Sequence, residues 1–326
     1  MPHGFFRRCY SAALISSAFA IGCTSTSNVS SVGIPVTNSS SAQALQSGPP
    51  TVSGGSVSAS LLEQLSLERI NRARLRPGAE ATANGIAVDE GVPGQIDTTP
   101  KQALALNATL NGTANAHSVD MLNQDYFAHN TPAGQTPFQR MTAAGYDFIT
   151  AGENLVWRGT TGALDELAVV ESEHTDLFVD TGVPSRGHRL SMLNPDFREV
   201  GIGIVRGLFN DGGVNYAAMM QTQDFGTQPV AETFVLGVVY NDNNGNGQYD
   251  YGEGVANSIV SLDGVTKTTN AGGGYSFAIT QSGSFTLNFV SSNNSLPIEI
   301  QPGDRNLKVD LIGNRRIVVN LGLGPL

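Results

Sequence analysis

Four short stretches carry the side chains that could act together: Tyr126-Phe127-Ala128-His129, Ala151-Gly152-Glu153-Asn154-Leu155, Glu173-His174 and Gly187-His188-Arg189. They hold three of the five histidines of the chain, each with carboxylates nearby in sequence. Neutral imidazole nitrogen and carboxylate oxygen are ligands that suit Zn²⁺, and a zinc site that keeps one position open is catalytic. Spacing does not by itself define such a site, because there is no His-x-x-x-His pair and no Cys-x-x-Cys. By pattern the residues lie on or beside turns and helix ends, so their joint chemistry depends on the elements that gather distant segments.

Those elements are readable. Ser60-Leu61-Leu62-Glu63 is a capping box, and Leu61, Leu62, Leu65, Ile70 and Ala73 continue it as an apolar stripe that stops before Pro77-Gly78. Leu104, Leu106, Leu110, Ala114, Met121 and Leu122 predict a second helix. It carries His117, which reads as a hydrogen-bonded core residue. Thr136-Pro137-Phe138-Gln139 starts a third helix with Gly145 as its C′ residue, and His129 lies in the loop before it. Residues 163–178 read as a helix on which Glu166, Val170 and Glu173 share a face, while His174 points about 100° away from Glu173. Residues 199–209 and 214–225 form a β-hairpin closed at Asn210-Asp211-Gly212-Gly213, with Gly201 and Gly203 leaving room for another element against the sheet.

In order along the chain, Tyr126-Phe127-Ala128-His129-Asn130-Thr131-Pro132, Ala151-Gly152-Glu153-Asn154-Leu155, Gly187-His188-Arg189, Met192-Leu193 and Phe197-Arg198-Glu199-Val200-Gly201-Ile202-Gly203 resemble the signature blocks of the CAP superfamily. That group comprises cysteine-rich secretory proteins, venom antigens and plant pathogenesis-related proteins, and the likeness is to its cysteine-poor bacterial branch. The resemblance covers roughly residues 60 to 226, and an ordered set of blocks is more specific than any one of them. It implies an α+β fold, a three-layer α/β/α sandwich, with a cleft carrying two His and two Glu around a zinc-like divalent cation. His129, Glu153 and His188 match three of the four. The fourth falls on Glu173, with Glu171 as the alternative, because Val169-Val170-Glu171-Ser172-Glu173-His174 lacks the Trp that many relatives place in this helix.

Past Gly226-Thr227-Gln228-Pro229 the pattern changes to short alternating strands at 234–240, 258–262, 265–269, 275–279, 285–290, 307–311 and 317–321. These predict a smaller all-β sandwich, immunoglobulin-like or prealbumin-like. Between its first two strands, residues 242–253 fill the calcium-loop pattern. Asp242, Asn244 and Asn246 supply oxygens at positions 1, 3 and 5, Gly247 takes position 6, Gln248 offers a carbonyl, and Asp250 and Glu253 occupy 9 and 12. The flanking strands exclude an EF-hand, and the loop resembles those of bacterial surface-protein B-type repeats stiffened by calcium.

The first residues read as an export signal: Arg7-Arg8, an apolar run over residues 12–21, then Ala20-Ile21-Gly22-Cys23, which resembles a lipobox that would acylate Cys23. The expected organisation is a lipoprotein-type signal peptide at 1–22, a Ser/Thr/Gly-rich tether at 23–59, a CAP-like domain at 60–228 and a β-sandwich at 229–326. Removal of Arg7 and Arg8 takes the formal charge of −10 to −10 − 2 = −12. Such a chain presents no basic patch for nucleic acid and repels anionic partners. With Cys9 removed and Cys23 acylated, no disulfide forms, so stability rests on packing or bound ions. Three functions fit: a cleft that binds a cation and a small, lipid-like or cell-envelope ligand; a metal-assisted hydrolase with a Glu as general base; and a calcium-stiffened surface scaffold. No Gly-x-Ser-x-Gly elbow supports a serine nucleophile, and Ser185 and Ser191 are weak substitutes.

Overall fold

The computed structural model describes residues 60–230, 232–301, 303–313 and 315–320, with three short strands, β1 (Phe6–Ser11), β2 (Ile15–Ser16) and β3 (Val52–Ser53). The lipobox at 20–23 and tether residues 24–51 lie outside the described residues. Helix α1 (Leu61–Leu75) begins on the capping box: Ser60 Oγ accepts from Glu63 N and the Glu63 carboxylate accepts from Ser60 N. The expected stop before Pro77 is only a bend. Proline is well tolerated at a helix start, and α2 (Pro77–Ala83) begins on it.

β4 (Ala105–Leu106) precedes α3 (Ala108–Asn123), which Asn107 caps with its side-chain oxygen. The reciprocal Thr136–Gln139 box opens α4 (Pro137–Ala143), and Gly145 takes a positive φ of 88° just beyond its end. Next comes β5 (Thr150–Thr160), a strand the sequence pattern does not announce, because buried polar residues interrupt its apolar alternation. α5 (Glu166–Val179) and α6 (Gly187–Met192) lead to the hairpin of β6 (Glu199–Asp211) and β7 (Val214–Thr227).

These strands form one sheet in the order β1-β5-β7-β6-β4, with β2 also on β5; only β4 and β6 are parallel. Successive side chains on a strand face opposite ways, and helices cover both sides. Met121 and Leu122 of α3 pack on Leu155, Trp157 and Met220 on one face. Leu67 and Ile70 of α1, Leu177 and Phe178 of α5, and Met192 of α6 pack with Val156 and Phe225 on the other. The result is three layers, helix on sheet on helix. Gly201 and Gly203 permit the contact with α3: a Cβ on Gly201 would lie 1.9 Å from the Leu110 carbonyl carbon, and one on Gly203 2.2 Å from Asn115 N.

The remaining strands are β8 (Thr233–Tyr240), β9 (Ile259–Leu262), β10 (Val265–Thr268), β11 (Gly274–Ile279), β12 (Gly283–Phe289), β13 (Asn294–Ile300), β14 (Leu307–Ile312) and β15 (Arg316–Asn320). They make two sheets, β15-β14-β8-β11-β3 and β10-β9-β12-β13. Val235, Val239 and Phe277 of the first meet Val260, Leu262, Phe285, Leu287 and Phe289 of the second in one apolar core. β13 is absent from the pattern reading, as is the two-residue β3. β13 contains Pro297, which an edge position tolerates. The sandwich is docked closely on the first module: Asn306, 2% exposed, donates to the carbonyls of Ala103 and Arg198, and Lys308 pairs with Glu68 at 3.0 Å.

Candidate functional site

Glu153 and Asn154 are neighbours in β5 and therefore face opposite sides of the central sheet. Glu153 faces α3 and α4. Its Oε1 lies 2.7 Å from His129 Nδ1 and its Oε2 2.5 Å from Arg140 Nη2. Directly across the ladder stands Asp224 of β7, whose Oδ2 accepts from Thr113 Oγ1 at 2.6 Å. Glu153 is fully buried, and burial, opposed in part by the Arg140 charge, pushes its carboxyl up to about 7. Asp224 is driven well above the carboxylate range by burial and then by the neighbouring Glu153 charge. His129, 17% exposed, thus stands over a carboxyl that gains and loses its proton near neutrality.

A cavity of about 390 Å³ opens beside this cluster, lined by His117, Asp120, Gln124, Thr131, Gln135 and Arg140 among others. Arg140 joins cavity and cluster, since its guanidinium also donates to the His129 carbonyl at 2.7 Å. His117 bonds the Ala128 carbonyl through Nε2, and burial lowers its pKa to about 3, so it stays neutral.

On the other face Asn154 donates to the His188 carbonyl, and Glu173 Oε2 accepts from Gln221, which also accepts from Ser66. His188 Nδ1 lies 2.6 Å from Asp180 Oδ1. Asp180 closes α5 in the left-handed region (φ 59°), a conformation Asp tolerates, and this aims its carboxylate at the start of α6. His188 Nε2 and Glu173 Oε1 are buried with no hydrogen-bond partner among the described residues. Burial raises Glu173 well above its ordinary value, with Gln221 opposing.

The four residues expected around one cation are therefore divided. His129 and Glu153 come together; Glu173 and His188 lie beyond the sheet. As a set they do not fit a single ion, and among the described residues no group of three or more His, Cys, Asp or Glu side chains is arranged to hold a metal. The physical reason is the two-residue period of β5: one step along it moves a side chain from one layer to the other. Glu171, the alternative fourth residue, is used elsewhere, in a pair with Arg69 at 2.7 Å. His174 bonds Glu80 at 2.9 Å.

The 242–253 loop also departs from the expected ion cage. Asp250 Oδ1 is taken by Arg69 of α1 at 2.8 Å, and its Oδ2 accepts from the amides of Asn244 and Asn246. The side-chain oxygens of Asn244 and Asn246 turn back to the amide N–H groups of Asn246 and Gln248. Glu253 accepts from Asn243 N and Asp250 N, and Asp242 from Gly247 N. A guanidinium thus occupies one oxygen of Asp250, while Asp242 Oδ1 is buried with no hydrogen-bond partner among the described residues.

Residues 67–216 match the model of the cysteine-rich secretory protein family, CAP. This stretch, a little under half of the chain, is similar to CAP domains. The uncharacterized protein YkwD of Bacillus subtilis (strain 168) is 33% identical over 102 residues, which is 31% of this chain and 35% of that protein, so the match spans about a third of the relative. Two solved structures align less closely. An extracellular protein containing a SCP domain from Bacillus anthracis str. Ames is 26% identical, with 39% of this chain and 35% of that one covered and a TM-score of 0.28. NaASP2 with Zn²⁺ is 17% identical, with 52% and 80% covered and a TM-score of 0.33. No helix among the described residues of this chain is long and apolar enough to cross a membrane.

Around these clusters, Arg140, Asp180, Asp224 and Gln221 are site residues that pattern reading passes over. One signal was available: Gln221-Thr222-Gln223-Asp224 is a polar run within a strand that must be buried on both faces, and buried polar groups need partners.

Proposed function

We propose that the CAP-like stretch is the binding part of an exported protein and takes a small polar ligand in the cavity lined by His117, Asp120 and Arg140, beside the His129–Glu153 pair. The His129–Glu153 pair exchanges a proton with that ligand. One observation carries the reading: a partly exposed imidazole, backed by a buried carboxyl near neutrality, adjoins a cavity that shares Arg140 with it. Asp120 and Arg140 offer both charge signs to a ligand, which suits a polar molecule better than a lipid chain. Export and attachment to the envelope through acylated Cys23 belong to the same proposal, supported by the charged, then apolar, then small-residue order of the first segment.

A cation held by all four family positions is not part of the proposal, because they occupy two faces of the sheet. Thermal-shift screening of a panel of soluble envelope fragments tests the reading, with hits for the wild type expected to vanish in His129→Ala and Arg140→Gln. Hits that persist in both variants would place the ligand elsewhere. Turnover of an ester or casein substrate that disappears in Glu153→Gln would instead make the same pair the acid–base machinery of a hydrolase.

A further inference from the structure

We infer that the junction of the two modules carries a second site, a groove for an oxyanion of the phosphate type. The C-terminal half of α1 lies across the face formed by β8, β14 and β15, leaving a cavity of about 140 Å³. A water's share of liquid volume is about 30 Å³, so the space admits a group several waters in size. Arg72 and Arg76 line it from α1, Arg316 from the edge strand β15, and Gln248 from the neighbouring loop, over apolar Leu75 and Val318.

The charges in this groove separate into two kinds. Arg69 is saturated by Glu171, Asp250 and the Tyr249 carbonyl, Arg72 is bonded to Glu80 and Gln248, and buried Lys308 is held by Glu68 and Asp310. Arg76 and Arg316 are exposed, and neither has an ion pair among the described residues. A helix C-terminus favours cations, which accounts for Arg72 and Arg76 at the end of α1. It does not account for Arg316, which another module brings to the same cavity. Guanidinium groups present paired N–H donors that match phosphate oxygens, and a partly apolar floor strengthens the attraction. A net charge of −10 speaks against anions for the chain as a whole, yet folding gathers arginines that are distant in sequence into one place.

The phosphate group could be free or could belong to a phosphate ester of a lipid headgroup, and two arms separate these sources. Calorimetric titration of the purified full chain with inorganic phosphate at low ionic strength should be saturable. The double variant Arg76→Gln/Arg316→Gln should weaken it by about tenfold or more while leaving the melting temperature unchanged, since both side chains are exposed. Flotation with phosphatidylglycerol against phosphatidylcholine vesicles is the second arm. Retention on the former alone, lost in the double variant, would also support the groove and assign it to a headgroup. The inference is overturned if neither probe binds, if binding survives in the double variant, or if Arg206→Gln, on a remote ion pair, weakens it equally.

Discussion

Replacing Glu153 by Gln should flatten the pH dependence of stability, and the expected size follows from the position of this carboxyl. In the folded protein it stands at about 7 against 4.5 for an unperturbed Glu, raised by complete burial with Arg140 in partial opposition. A carboxyl held above its unfolded value binds its proton more tightly when folded. Its contribution is therefore fully present below about pH 4.5 and is lost as the pH rises through about 7. Moving from 4.5 to about 7 at about 1.4 kcal/mol per pH unit makes that loss about 3.5 kcal/mol. Asp224 and Glu173 are displaced in the same direction and remain in the variant, so a smaller slope persists. Glu80 has the opposite sign: burial would raise it, but its bonds from His174 and Arg72 hold it at about 2, so its contribution is lost only in acid. The substitution also removes the Arg140–carboxylate pair, roughly 1–3 kcal/mol, at pH values where the wild-type carboxyl is ionised. Urea denaturation followed by circular dichroism between about pH 5 and about pH 8 measures the difference. If the variant loses as much stability over that interval as the wild type, the assignment of Glu153 as a buried proton-holding group is wrong.

Three further outcomes test other parts of the structure. Gly201→Ala places a methyl group 1.9 Å from the α3 backbone and should cost about 3 kcal/mol or more in thermal unfolding; an unshifted melting point would contradict the close helix–sheet contact. Phe277→Ala, in the centre of the sandwich core, should cost about 3–5 kcal/mol by the same measurement, and a loss below about 1 kcal/mol would show that the two sheets are not packed face to face. With Asp250 engaged by Arg69, millimolar calcium should leave the melting temperature of the wild type unchanged. A rise that Asp242→Ala abolishes would show instead that the ion displaces the guanidinium.

Much of the framework is local in origin and was readable for that reason. The capping boxes at Ser60 and Thr136, the turn glycine at 145, the β6–β7 hairpin and most strands of the sandwich follow from side-chain and backbone preferences over a few residues. β5 was not legible, because Gly152-Glu153-Asn154 breaks the apolar alternation that marks a strand, and the polar groups are satisfied only by partners far along the chain. β13 was missed for a similar reason, its Pro297 being acceptable only at a sheet edge.

By itself the sequence determined which side chains are present and which short segments start, turn and stop, and it carried the ordered blocks that resemble the CAP family. Only the tertiary structure decided that Glu153 shares a face with His129, Arg140 and Asp224 while Glu173 and His188 lie across the sheet. It likewise decided that Arg76 and Arg316 border one cavity. The reason is geometric: strand side chains alternate with a period of two, so a single residue step exchanges faces, and nothing local says which layer of helices each face will meet.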